Sequence, residues 1–286
     1  MYRIAILGCE NSHATHFLKV LSEEKYPDVK VVGIFSEETD AAEKLSERFS
    51  VPILPAYDAP VKEVDGVMIT ARHGDNHYKY AKPYLSRGIP MFIDKPITCS
   101  EEEAVAFMRD AKANGVRLCG GSLCATLEET LKLKAAREGG ALGEIRGGHV
   151  TAPIQLTSVY GGATFYAQHL IEIMTAIFGE SVTAVCAKAE KTSLSFLASY
   201  EDGFNVTGQY VEKGKYYTAS VYGSESMQAE TLTVTGGNFM DEMYALLCGG
   251  EMQKSYESFI YPVFVMNAIL RSTESGAWEA VREIRL

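Results

Sequence analysis

The sequence predicts an α/β protein of two domains: a doubly wound parallel sheet over residues 1–120, then an α+β domain with an open, mostly antiparallel sheet over residues 121–286. Two observations carry this. Up to about Gly120, short runs that are apolar throughout alternate with helix-period segments, the pattern of strands covered on both faces. Beyond it, strand-like runs follow one another between Gly- and Asp-bearing turns. The length of 286 residues suits two cores rather than one.

Apolar residues make up 47% of the chain and charged residues 22%, and no apolar run approaches the ~20 residues that span a bilayer. Met1-Tyr2-Arg3 leads into the strand-like Ile4-Ala5-Ile6-Leu7 without the pattern of a signal peptide, so a cytoplasmic location is expected. The net charge of −10 and pI near 5.2 oppose nucleic acid and anionic membrane as partners and favour a small molecule. Six scattered cysteines form no metal-binding pattern and read as reduced thiols, and no metal site is expected.

The predicted strands of the first half are Arg3 to Leu7, Val29 to Phe35, Gly66 to Ile69, Met91 to Ile93 and Arg117 to Cys119. After the first comes Gly8-Cys9-Glu10-Asn11-Ser12-His13, where a dinucleotide fold places Gly-x-Gly-x-x-Gly. Only Gly8 survives, with Glu10 and His13 in the other two glycine places. Backbone amides near Asn11 and Ser12 could still bind an anion, and either side chain could equally cap the helix. His13 and His16, with Cys9 and Glu10 nearby, are a weak metal suggestion. The second strand ends at Ser36, where an acid would bond the adenosine ribose, and Glu37 follows. Its charge would repel a 2′-phosphate, which favours NAD over NADP. Asp94-Lys95-Pro96 closes the fourth strand and puts Lys95 at the sheet edge where ligands bind, unless it serves only in a salt bridge.

In the second half, Val182 to Ala189, Leu194 to Tyr200, Phe204 to Tyr210, Tyr216 to Tyr222 and Met227 to Val234 read as a meander. Tyr210, Tyr216, Tyr217 and Tyr222 suit a sheet face that self-associates, though sheet propensity alone explains them too. Before the meander, Phe165, His169, Glu172, Ile173 and Ala176 share one face of an amphipathic helix.

Thr70-Ala71-Arg72 followed by His77, the segment Ser86-Arg87-Gly88-Ile89-Pro90, and Asp94-Lys95-Pro96 resemble, in order and spacing, the Gfo/Idh/MocA family of oxidoreductases. Gly143-Glu144-Ile145, Tyr200-Glu201-Asp202-Gly203, Tyr222-Gly223-Ser224-Glu225 and Ser272 through Gly276 to Trp278 extend the resemblance over nearly the whole chain. It implies a Rossmann domain that binds NAD through Gly8, Cys9, Glu10, Asn11, Ser12, Ser36, Thr70, Ala71, Arg72, His77, Asp94 and Lys95. It further implies hydride transfer to or from a sugar, cyclitol or related polyol, and a homodimer or homotetramer built through the second sheet. Lys95 and His169 are the implied catalytic groups: an imidazole that titrates near neutrality suits a base, and an ammonium stabilises a developing alkoxide. His77 would order its loop. The chain departs from the family at Ala71, where proline is usual, and at Phe165, in the place of the family's aspartate before His169. An arginine motif is also absent around Gly121-Ser122-Leu123-Cys124. These departures keep open a second reading: a non-catalytic member that binds or senses a nucleotide or metabolite, with His169 a core histidine.

Overall fold

A computed structural model of the protein describes residues 1–23, 25–234 and 239–286. The chain divides into two compact units, one of Met1–Gly121 with Asn238–Tyr256 and Leu286, the other of Ser122–Gly237 with Glu257–Arg285. Among the described residues, no helix is long and apolar enough to cross a membrane.

The first unit runs β1 (Tyr2–Leu7), α1 (Ser12–Ser22), β2 (Val29–Phe35), α2 (Thr39–Phe49), β3 (Gly66–Ile69), α3 (Asp75–Leu85), β4 (Met91–Asp94), α4 (Glu101–Ala113) and β5 (Leu118–Gly121). The strands form one parallel sheet in the order β2-β1-β3-β4-β5. Every residue of β3 and β4 is buried, which is why these strands read as unbroken apolar runs. An isolated parallel bridge from Ile34 to Ile53 extends the sheet past β2. The chain therefore works outward from β1 and returns to β3 on the opposite side of it. The order reverses between β1 and β3, and the crevice at their carboxyl ends is where such sheets bind ligands. Thr70 ties those ends together, its N–H donating to Leu7 O at 2.7 Å and its hydroxyl to Gly8 O at 2.9 Å.

The second unit opens with a 3-10 turn at Leu123–Thr126, followed by α5 (Glu128–Glu138), β6 (Ile145–Ile154) and α6 (Thr164–Phe178). It continues through β7 (Val182–Glu190), β8 (Ser193–Tyr200), β9 (Asn205–Glu212), β10 (Tyr217–Gly223) and β11 (Met227–Leu232). The helix α7 (Met240–Leu247) belongs to the first unit, where Met243 and Leu247 lie against the bare Cα of Gly66. The chain ends through α8 (Tyr256–Ser275) and β12 (Glu279–Ala280).

The second sheet has the order β11-β10-β6-β9-β8-β7-β12. This corrects the meander. β6 lies between β10 and β9, antiparallel to the first and parallel to the second, so the turn at Glu212-Lys213-Gly214 crosses β6 instead of closing a hairpin. β6 is suited to a central place: Val150, Ala152 and Ile154 are buried, and Gly148 leaves room for the Phe178 ring, whose Cζ a Cβ would meet at 2.1 Å. The tyrosines also divide. Tyr210 is fully buried and donates to Ala167 O of α6 at 2.7 Å, Tyr217 lies beside His169, and Tyr216 and Tyr222 remain exposed.

Candidate active site

At the carboxyl edge of the first sheet, the chain leaves β1 through Gly8 at φ +80, where a Cβ would lie 2.3 Å from the Cα and N of Ala71. Only glycine fits that approach. The amides of Gly8 and Cys9 both donate to Phe35 O. Cys9 acts through its backbone, since burial, with Glu10 adding to it, pushes its thiol up to about 12. Asn11 caps α1, its Oδ1 accepting from His13 N–H at 3.2 Å, while Ser12 is exposed at the helix start.

Asn11 also donates through Nδ2 to Asp94 Oδ2 at 2.9 Å, and His13 Nδ1 reaches the same oxygen at 2.8 Å. The other oxygen, Oδ1, accepts the backbone N–H of Lys95 at 2.8 Å. Burial alone would raise the Asp94 carboxyl, but the charge and hydrogen bond of His13, with the Lys95 ammonium, hold it below the usual carboxylate range. Asp94 is fully buried, Lys95 follows at 4% exposure, and the Lys95–Pro96 peptide is cis.

Glu10 turns away from α1. Its Oε2 accepts from Ser36 Oγ at 2.7 Å and its Oε1 from the backbone N–H of Arg72 at 2.9 Å. His77, fully buried, lies with Nε2 2.8 Å from Ala71 O and Nδ1 3.2 Å from Ile97 O, joining the loops after β3 and β4. Burial lowers its pKa. The grouping of His13, His16, Cys9 and Glu10 does not assemble, because His13 is taken by Asp94 and Glu10 by Ser36 and Arg72.

The residues fit a dinucleotide. Glu10 is held by Ser36 and Arg72, α1 has no acidic residue in its first turn, and the Asp94 carboxylate at that end is engaged by Asn11 and His13, so the helix start can still receive a diphosphate. Of the predicted residues, Gly8, Cys9, Glu10, Asn11, Ser36, Thr70, Ala71, Arg72, His77, Asp94 and Lys95 all lie on or just under this edge. Sequence reading missed the pairing of His13 with Asp94. The available signal was a titratable side chain in a place the fingerprint reserves for glycine, with an acid ending the fourth strand.

In the second unit, His169 projects from α6 at 8% exposure with Nδ1 2.7 Å from Ser122 Oγ and 3.7 Å from Cys124 Sγ. Ser122 is held in turn: its N–H donates to Glu172 Oε1 at 2.7 Å, and its Oγ accepts from Cys124 N–H at 3.1 Å. Gln168 Nε2 donates to the same Glu172 oxygen at 2.6 Å. Tyr166 and Tyr217 flank the imidazole, their ring centroids at 5.2 and 6.2 Å, and burial foremost raises both phenol pKa values. Phe165 turns instead into an aromatic cluster with Tyr160 and Tyr166. Ser122 thus holds the ring nitrogen where a carboxylate was sought. It lies in the segment that lacks the arginine motif, 47 residues from His169, beyond the reach of local spacing.

A sheet with this reversal, a glycine turn and a helix with no acidic residue in its first turn has the features of a dinucleotide-binding domain. Residues 2–122 match the Gfo/Idh/MocA model, described as an oxidoreductase family with an NAD-binding Rossmann fold. Over this first domain the chain is similar to that family, whose description is of an NAD-binding fold. A curated relative, UDP-N-acetylglucosamine 3-dehydrogenase from Acidithiobacillus ferrooxidans, is 28% identical over 101 residues, which are 35% of this chain and 32% of that protein. The chain thus matches about a third of that relative's length. Over nearly its whole length the chain shares its fold with solved structures that include the following two. GenD2 from gentamicin A biosynthesis, in complex with NAD, has a TM-score of 0.85 at 16% identity, covering 99% of this chain and 97% of its own. Scyllo-inositol dehydrogenase from Lactobacillus casei, with NAD(H) and scyllo-inositol, has a TM-score of 0.82 at 14% identity, covering 98% and 99%.

Proposed function

We propose that the protein is an NAD-dependent dehydrogenase or reductase acting on a CH–OH group of a sugar, cyclitol or related polyol. The observation that carries this is the edge of the first sheet, where a match to an NAD-binding oxidoreductase family coincides with an α1 that has no acidic residue in its first turn and a buried lysine next to Asp94. Relatives of the same fold, solved with NAD or with scyllo-inositol, support the substrate class.

NAD held at this edge would supply the hydride chemistry. The chain must place the cofactor, balance charge on the substrate oxygen and move the hydroxyl proton. Gly8 and the start of α1 would hold the cofactor's diphosphate. Asp94 fixes the backbone of Lys95, whose ammonium stabilises the developing alkoxide. His169 takes the hydroxyl proton, its imidazole held through Nδ1 at Ser122 Oγ. Glu172 and Gln168 keep Ser122 and α6 in register.

The test is a screen of polyols and sugar acids read by NAD reduction, repeated with Lys95→Ala. Turnover on at least one such substrate is expected, with Lys95→Ala abolishing it and changing NADH affinity by less than about threefold. NADH binding without turnover on any of them would favour the sensing alternative, for which Phe165 in the aspartate's place is the supporting observation. We also propose a homodimer or homotetramer through the second sheet, where Tyr216, Tyr222 and Met227 are exposed.

A further inference from the structure

We propose that Glu10 holds the adenosine ribose and excludes a 2′-phosphate, so that the glycine loop performs a task normally given to the end of β2. The proposal rests on the NAD reading of this unit.

A dinucleotide domain places an acid at the end of its second strand to accept hydrogen bonds from the ribose hydroxyls. Here Ser36 stands there, 7% exposed and without charge. Glu37, the neighbouring acid, is ion-paired to Lys79 at 2.8 Å on the surface, which offsets its charge. Glu10 is the acid bonded to the strand end itself. Its two oxygens bridge the Ser36 hydroxyl at 2.7 Å and the Arg72 N–H at 2.9 Å, fixing the carboxylate between the end of β2 and the loop after β3.

Two donors leave acceptor capacity. A carboxylate offers about four lone-pair sites, so after Ser36 and Arg72 about two remain for the 2′- and 3′-hydroxyls. A 2′-phosphate, at about −2, would instead meet a like charge held in place by those two bonds. One residue thus accounts for two departures from the fingerprint, the lost second glycine and the lost ribose acid. The loop keeps its path because Glu10 turns its side chain sideways, leaving the start of α1 open.

The experiment is calorimetric titration of NADH and NADPH into the wild type, Glu10→Gln, and the double variant Glu10→Ala with Ser36→Asp. The wild type is expected to prefer NADH by about tenfold or more. Glu10→Gln, nearly isosteric, should lose about tenfold in NADH affinity and most of the preference. The double variant, with the acid returned to the strand end, should recover the preference, a gain that misfolding cannot produce. Unchanged NADH affinity and selectivity in Glu10→Gln would overturn the proposal. So would a wild type that prefers NADPH and loses that preference in Lys79→Ala, which would make Lys79 a phosphate ligand. A wild type that binds neither cofactor would instead overturn the NAD reading beneath it.

Discussion

Asp94 makes a site out of separate segments. One fully buried carboxylate accepts from Asn11, His13 and the Lys95 amide, so the glycine loop and the lysine strand share a single anchor. Its folded pKa is depressed, so its stabilisation is complete above the unfolded value near ~3.9 and is lost as pH falls through the lower folded value. Asp94→Asn should therefore cost about 2 kcal/mol at neutral pH, and the gap to wild type should close below pH ~4, as read by denaturant unfolding across pH. A gap that persists at low pH would assign the loss to geometry, not charge. His169 yields a second residue-scale prediction. Ser122→Ala should lower kcat by about tenfold or more and move the pH profile, while Ser122→Thr, which keeps the hydroxyl at Nδ1, should restore both. An unmoved profile in Ser122→Ala would leave Ser122 only its role as cap of the 3-10 turn.

Among the elements, the turn between β1 and α1 is the least tolerant of change. Gly8→Ala would put a methyl 2.3 Å from the Ala71 backbone at a φ that only glycine adopts easily, so it should cost more than about 3 kcal/mol and weaken NADH binding. Thermal unfolding with and without NADH would measure both effects, and a variant as stable as wild type would refute this account of the turn. The elements also show what a sequence exposes and what it hides. The five parallel strands were legible because burial on both faces leaves continuous apolar runs. The place of β6 between β9 and β10 was not, because neighbours in a sheet are chosen by long-range burial, and Val150, Ala152 and Ile154 look no different in a central or an edge strand. The site followed the same rule. Gly8 and Lys95 stood out by their positions next to strands, whereas His13 with Asp94 and Ser122 with His169 pair across 81 and 47 residues.

For the molecule as a whole, self-association and cofactor binding are the two properties to measure. If the second sheet mediates assembly, Tyr222→Glu should shift the sedimentation profile toward the monomer with the fold intact, and an unchanged profile would remove this face from the interface. Cofactor binding is the more direct test, because a ligand that binds only the folded chain raises its stability by about 2.7 kcal/mol at a hundredfold excess over Kd. Calorimetric titration of the intact chain with NADH decides it. The account predicts saturable binding to one site per chain, and no heat of binding at millimolar NADH would contradict it.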